Sequence, residues 1–299
     1  MQNAVVLESA DLCSKAKNIV KKYDRAKLYA DPYELCYADM QKLFGGFGGA
    51  VKNRFILEKN FHQKKRSIKS QAEIEKIKIS VDNLAKSFDK FAAFLSENGY
   101  GKSEKELHFL VKEFLQDRGK FDLSFNPIFA IESNAAKPHA LPCDRALTYG
   151  DSVLLDAGIK YRDYCSDRTR TAFFGKDNRL SFDIKQSFND AEKQKIYNTV
   201  LSAHNRAIEA IKTGMKAKEI DKIARDHIDN AGYGKYFSHS LGHGVGLEIH
   251  EEPYINRKNE MVIENGMVFT IEPGIYIEGF FGVRIENIVE IYDDRARII

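Results

Sequence analysis

Two helical patterns followed by a run of strand patterns occur twice along this chain, and no other feature constrains its fold as much. In the first half, Ile74, Ile77, Val81, Leu84, Phe88, Phe91 and Leu95 alternate spacings of three and four. That is one apolar stripe on a long helix. A coiled-coil dimer would carry the same stripe, but Asn98-Gly99 and Gly101 stop it promptly, which favours packing onto a sheet. A second helix follows in SEKELHFLVKEFLQDRG, opened by Ser103 with Glu106 three residues on, a capping box. Strand-like segments come next, NPIFAIES and DSVLLDAGIKYRDYCSDRTRTAFF. The order then recurs: helices over Lys185 to Lys212 and Ala217 to Asn230, then strands around His250, Met267 to Glu272 and Gly282 to Ile291. The halves share no evident sequence identity, only this order. Two such units can join their strands in a mainly antiparallel sheet with helices outside, an α+β fold.

The segment NFHQKKRSIKSQAEIEKIK marks a boundary, with a short N-terminal region over residues 1–66 and the repeated architecture over 67–299. The short region promises a helix from Ala10 to Tyr23, a turn at Asp31-Pro32 and a loop at Gly45 to Gly49. GGFGG lacks the Lys-Ser/Thr that a phosphate loop needs. Lys64, Lys65 and Arg66 are expected in a solvated linker. A net charge of +3 on 299 residues argues against a dedicated nucleic-acid surface. Cys13, Cys36, Cys143 and Cys165 are scattered and form no C-x-x-C pair, as ordinary reduced thiols would be. With no basic, apolar leader at MQNAVVLESADLCSK and no apolar run long enough for a membrane span, the expectation is a soluble cytoplasmic protein.

The stretch HSLGHGVGLEIHEEP, residues 239–253, packs three histidines among three glycines. His239 and His243 have helical spacing, but each glycine costs a helix roughly 1 kcal/mol relative to Ala. A tight glycine-rich turn leading into a strand over Leu247 to His250 is the expectation, with the histidines aimed into one pocket. Carboxylates sit where strands should carry something else. Asp156 and Asp167 are eleven apart across a turn near Tyr161-Arg162, so a symmetric hairpin sets them opposite each other. Glu272 shares a strand face with Thr270 and Val268. Glu286 shares one with Arg284 and Ile288, while Val283, Ile285 and Val289 line the other. Four ionised carboxylates in one cleft repel, and two divalent cations would balance them. With His243 as a fifth ligand, such a donor set suits manganese, iron, cobalt or zinc.

LLDAG, CSDRTRT, SHSLGHGVGLEIHEEP, TIEPGIY and VRIEN resemble, in order, the five metal-binding blocks of the pita-bread metallopeptidases. That group includes methionine aminopeptidase, Xaa-Pro aminopeptidase and Xaa-Pro dipeptidase (prolidase). The resemblance implies a pita-bread fold and a pair of ions, manganese first, held by Asp156, Asp167, His243, Glu272 and Glu286. IESNAAKPHA, residues 131–140, resembles the histidine block of the proline-directed branch. The implied function is hydrolysis of the Xaa-Pro bond at the N-terminus of peptides by a water that the two ions activate. Glu272 would then move its proton, and His139 and His250 would steady the oxyanion. His239 would shape the proline pocket, and Arg284 would hold a ligand carboxylate. Prolidase, methionine aminopeptidase and a non-catalytic binding module of the same fold are the alternatives. The family's N-terminal domain is usually longer than 66 residues, so this region resembles an abbreviated form of it. Members often pair subunits through that domain, and a homodimer is one assembly the resemblance allows. Arg168 stands where the family often has an apolar residue.

Overall fold

The long stripe does form one helix, Gln71–Asn98, in a computed structural model that describes residues 12–23, 25–32, 37–45, 47–177 and 179–299. The start of the helix expected at Ala10, Cys36 and Gly46 lie outside the described residues, as does the side chain of Cys13. Contacts divide the chain into Met1–Arg66 and Ser67–Ile299. The smaller unit carries the helix Leu12–Lys22 and two short strands, Leu28–Ala30 and Phe55–Leu57, paired in parallel. Gly45, Phe47 and Gly48 lie in turn and loop as expected, but Gly49 already opens a helical turn, Gly49–Lys52, in which the N–H groups of Val51 and Lys52 donate to the Gly48 carbonyl. Lys64, Lys65 and Arg66 end the helix Phe61–Arg66 rather than lying in a linker.

In the larger unit Ser70 and Glu73 cap the long helix reciprocally, and Gly99 closes it. Leu84, Phe88, Phe91 and Leu95 pack in one core with Phe129, Val153, Leu155 and Ala172 of the strands. The stripe therefore covers a sheet, with Leu107, Val111 and Leu115 of the next helix sharing the same core. Its first turns, Ile74 and Ile77, reach Val245, Val268 and Ile288 of the other half. Helix Glu104–Gln116 begins at the Ser103–Glu106 box. The second pair of helices is Ala191–Ala210 and Ala217–Asn230. The former starts later than the expected Lys185, because Asp190 caps it by accepting from the N–H groups of Glu192 and Lys193. None of the described helices is long and apolar enough to cross a membrane.

Strands in the larger unit pair antiparallel. Ile128–Ile131, Ser152–Ala157 and Arg168–Phe173 form one ladder. Glu251–Ile255, Gly242–Gly244, Val268–Ile271, Asn287–Tyr292 and Arg295–Ile298 form a second, in that order. The halves meet where these ladders stop. The Glu286 N–H donates to the Thr169 carbonyl (3.1 Å), and the Arg284 N–H donates to Thr171 Oγ1 (3.2 Å).

Leu84 is fully buried between helix and sheet. Leu84→Ala should cost about 2–5 kcal/mol in urea unfolding, with the slope against denaturant unchanged.

Candidate metal centre

Gly242 and Gly244 of HSLGHGVG lie in a strand, Gly242–Gly244, not in a turn, whereas Gly246 and the alternating run Leu247 to His250 bend instead of extending. Close approach explains the glycines. A Cβ on Gly242 would sit 1.9 Å from the Thr270 carbonyl oxygen, and one on Gly244 2.4 Å from that of Glu252. Neighbouring chains can come this near only where no side chain intervenes. The bend then folds His250 back over His243, with ring centroids 4.2 Å apart.

The hairpin register also differs from expectation. Arg162 and Asp163 both have positive φ, 49° and 70°, as a two-residue type I′ turn requires. Tyr161 therefore pairs with Tyr164, and Asp156 falls opposite Thr169 rather than Asp167. The two aspartates are offset along the hairpin instead of facing directly. Glu272 lies just beyond Val268–Ile271, its N–H donating to the Leu241 carbonyl (2.8 Å). The continuous strand expected over Gly282 to Ile291 is interrupted at Ile285-Glu286, between Phe281–Arg284 and Asn287–Tyr292. There Glu286 turns its backbone to Thr169 and to Arg170, whose Nη1 donates to the Glu286 carbonyl (2.5 Å). Val283, Ile285 and Val289 are fully buried on the helix side, as expected.

All of the residues singled out in the sequence, His139, Asp156, Asp167, His239, His243, His250, Glu272, Arg284 and Glu286, line one cavity of about 300 Å³. At its floor His243 Nε2 lies 3.6 Å from Asp167 Oδ2 and 3.3 Å from Glu272 Oε1. Donor atoms of Asp167, His243 and Glu286 all fall within 4.8 Å of one another. His243 Nδ1 faces the Gly244 carbonyl (3.2 Å) and so carries the ring hydrogen. Its Nε2 lone pair then points at carboxylate oxygens. Burial, reinforced by His250, pushes His243 down to about 3, which keeps the ring neutral. Acceptors facing acceptors need a cation or a shared proton between them.

The carboxylates point the same way. Asp156 Oδ1, Asp167 Oδ1 and Glu286 Oε1 are buried without a hydrogen-bond partner. Burial and the charges of their neighbours raise Asp167 and Glu272 well above the usual carboxylate range, and lift Glu286 to about 8. Buried acids are normally satisfied, so the inward oxygens and the imidazole nitrogen form a donor set that fits divalent ions.

A second set of contacts fixes the other carboxylate oxygens. Arg284 Nη2 donates to Asp156 Oδ2 (2.5 Å), Nη1 to the Tyr276 hydroxyl (2.8 Å) and Nε to Thr169 Oγ1 (3.1 Å). Thr169 in turn donates to Glu286 Oε2 (2.6 Å), and Thr270 to Glu272 Oε1 (3.2 Å). His239 Nδ1 faces the Ser240 carbonyl, so its Nε2 accepts from the Tyr276 hydroxyl (2.8 Å). His139 and His250 stand exposed at the rim. Arg168 plays no part in the cavity lining: its guanidinium lies over the Phe88 ring, 5.3 Å from the centroid. Sequence reasoning missed Tyr276 and Thr169, and gave Thr270 only its place on the face of Glu272. Period-two alternation puts Thr270 beside Glu272, but nothing in the sequence marks Tyr276 as lying against Arg284 and His239.

Buried histidine and carboxylates on a fold of this kind define a metal-dependent hydrolase. Residues 75–293 match the description "Metallopeptidase family M24", and the chain belongs to that family, whose members bind divalent metals. It is 37% identical over 273 residues to an uncharacterized peptidase of Staphylococcus aureus, covering 91% of this chain and 73% of that protein. Its structure is similar to that of an X-Pro aminopeptidase from Thermotoga maritima. That match has a TM-score of 0.80 at 30% identity and covers 98% of this chain and 78% of the other. It is also similar to an Xaa-Pro dipeptidase from Bacillus anthracis, with a TM-score of 0.81, 33% identity, and coverage of 98% and 77%.

The raised carboxylates set a pH dependence for the cation-free protein. Glu286 holds its proton up to about 8 when folded but releases it near the ordinary glutamate value of 4.5 when unfolded. Between those values the folded state binds more protons, so stability falls as pH rises. Cation-free protein should lose more melting temperature from pH 5 to 8 than Glu286→Gln does, and manganese should flatten the wild-type curve.

Proposed function

We propose that the protein is an aminopeptidase that removes the first residue from peptides with proline second. Two divalent ions, manganese foremost, would be held by Asp156, Asp167, His243, Glu272 and Glu286. The observation carrying this reading is the convergence of unpartnered carboxylate oxygens and the His243 Nε2 lone pair on one buried cavity. Ions bound there supply Lewis acidity and bring the pKa of a coordinated water near 7.

The chain's own residues do the rest. Glu272, at the cavity wall, takes a proton from the attacking water and delivers it to the leaving nitrogen. His139 and His250, at the rim, donate to the oxyanion as the carbonyl becomes tetrahedral. His239 and Tyr276 shape the wall that receives proline, and Arg284 holds Asp156 in place. An Xaa-Pro bond is a tertiary amide without an N–H, on a ring that fixes φ. Peptidases that grip that N–H handle it poorly, whereas attack by an activated water does not need it.

One observation favours an aminopeptidase over a dipeptidase. A dipeptidase has to grip the free carboxylate of its substrate, and Arg284 is the sole Lys or Arg among the described cavity-lining residues. Its donors are already directed to Asp156, Tyr276, Thr169 and the Pro138 carbonyl. Unbridged Cys143 and Cys165 accord with a reducing cytoplasm.

A peptide-length series on manganese-loaded protein tests this reading. Xaa-Pro tripeptides and longer peptides should be cleaved with higher kcat/KM than Xaa-Pro dipeptides. Faster dipeptide cleavage would move the assignment to prolidase, and preference for Met-Ala peptides to methionine aminopeptidase. Asp156→Ala and Glu286→Ala should abolish turnover while the far-UV spectrum is retained. Arg284→Lys should lower activity by about 10–100-fold.

A further inference from the structure

His239 belongs to a segment whose backbone is held from behind by one ion pair on a neighbouring helix. Asp221 and Arg225 lie one turn apart on Ala217–Asn230. Arg225 Nε donates to Asp221 Oδ2 and Nη2 to Asp221 Oδ1, both at 2.8 Å, a two-pronged pair. The same guanidinium reaches onward: Nη1 donates to the Phe237 carbonyl (3.0 Å) and Nη2 to the His239 carbonyl (2.9 Å). Asp221 Oδ1 accepts from the Leu241 N–H (3.2 Å). Backbone atoms of residues 237, 239 and 241 therefore end on one pair. The guanidinium also lies over the Phe237 ring, 4.0 Å from its centroid, and that ring meets His239 edge-on.

We propose that Asp221 and Arg225 are positioning residues for His239: the pair holds the His239 backbone so that its Nε2 meets the Tyr276 hydroxyl. The inference rests on the reading of His239 as part of the substrate pocket. Neither residue of the pair reaches the cavity; both act through the segment they grip. The side-chain types suit that work. Only a planar, multiply donating cation can serve a carboxylate and two carbonyls at once, and a lysine offers no such fork. Stability alone accounts poorly for the arrangement, since a buried ion pair is often no better for stability than well-packed apolar residues of similar volume.

Two variants separate positioning from folding. Arg225→Lys keeps the charge but loses the fork. Asp221→Leu with Arg225→Met removes the grip while leaving no unpaired charge, so the fold is retained even if the single variant misfolds. Two readouts are needed. Nitrogen-15 NMR of labelled histidine, with His239→Ala for assignment, reports the His239 tautomer and its Nε2 bond without any turnover. The wild-type signal should be that of a neutral ring protonated on Nδ1, and in both variants it should shift or broaden while the melting temperature holds. Kinetics on an Xaa-Pro tripeptide should show a loss in kcat/KM on the order of tenfold to a hundredfold, as small misplacements in active sites produce. In a His239→Ala background the same substitutions should cost less than about twofold, because the residue they act through is gone. An unchanged His239 signal in both variants, or an equal kinetic loss in the His239→Ala background, would overturn the proposal. If wild-type protein cleaves no Xaa-Pro peptide, the proposed activity fails, and the NMR signal alone still decides the positioning role.

Discussion

Burying Asp156, Asp167 and Glu286 side by side costs free energy twice over, once in lost hydration and again in mutual repulsion. Much of the surrounding structure offsets that cost. Arg284 takes one oxygen of Asp156, Thr169 takes one of Glu286, and Thr270 takes one of Glu272. What is left over is directional: unpartnered oxygens on three acids and one imidazole lone pair, all turned inward. Without ions, burial and mutual repulsion raise Asp167 well above the usual carboxylate range and lift Glu286 to about 8.

Such a centre can be held only by rigid elements. One apolar core seats the helices Gln71–Asn98 and Glu104–Gln116 on the strands bearing Asp156, and another seats the second helix pair on the strands nearest His243 and Glu272. The acids then project from strand ends and strand breaks, where the backbone can turn a side chain inward. Gly242 and Gly244 allow the His243 strand to press against its neighbours.

Much of this was legible in the sequence because it depends on local periodicity. The three-four stripe from Ile74 to Leu95, its stop at Asn98-Gly99 and the box at Ser103 specify helices whose buried faces match expectation, although the box at Ser70 went unread. The cavity residues could be named because carboxylates and histidines stand where strands usually carry other side chains. Register was harder. One residue of difference in where the hairpin turns, at Arg162-Asp163 instead of Tyr161-Arg162, decides whether Asp156 faces Asp167 or Thr169. The strand break at Glu286 was hidden too, since alternation through Gly282 to Ile291 runs on regardless of hydrogen bonding. Tyr276 is illegible for a third reason: its partners, Arg284 and His239, lie on separate elements and meet only through tertiary packing.

The seam between the halves carries a consequence of its own. Its hydrogen bonds include those of Thr169, Arg170 and Thr171 with Arg284 and Glu286, and no shared ladder runs across it among the described residues. Asp156 and Asp167 come from one side of this seam, while His243, Glu272 and Glu286 come from the other. A divalent ion gripping donors from both sides would add a tie to a joint that only a few hydrogen bonds cross, so capturing metal would also help fasten the two halves.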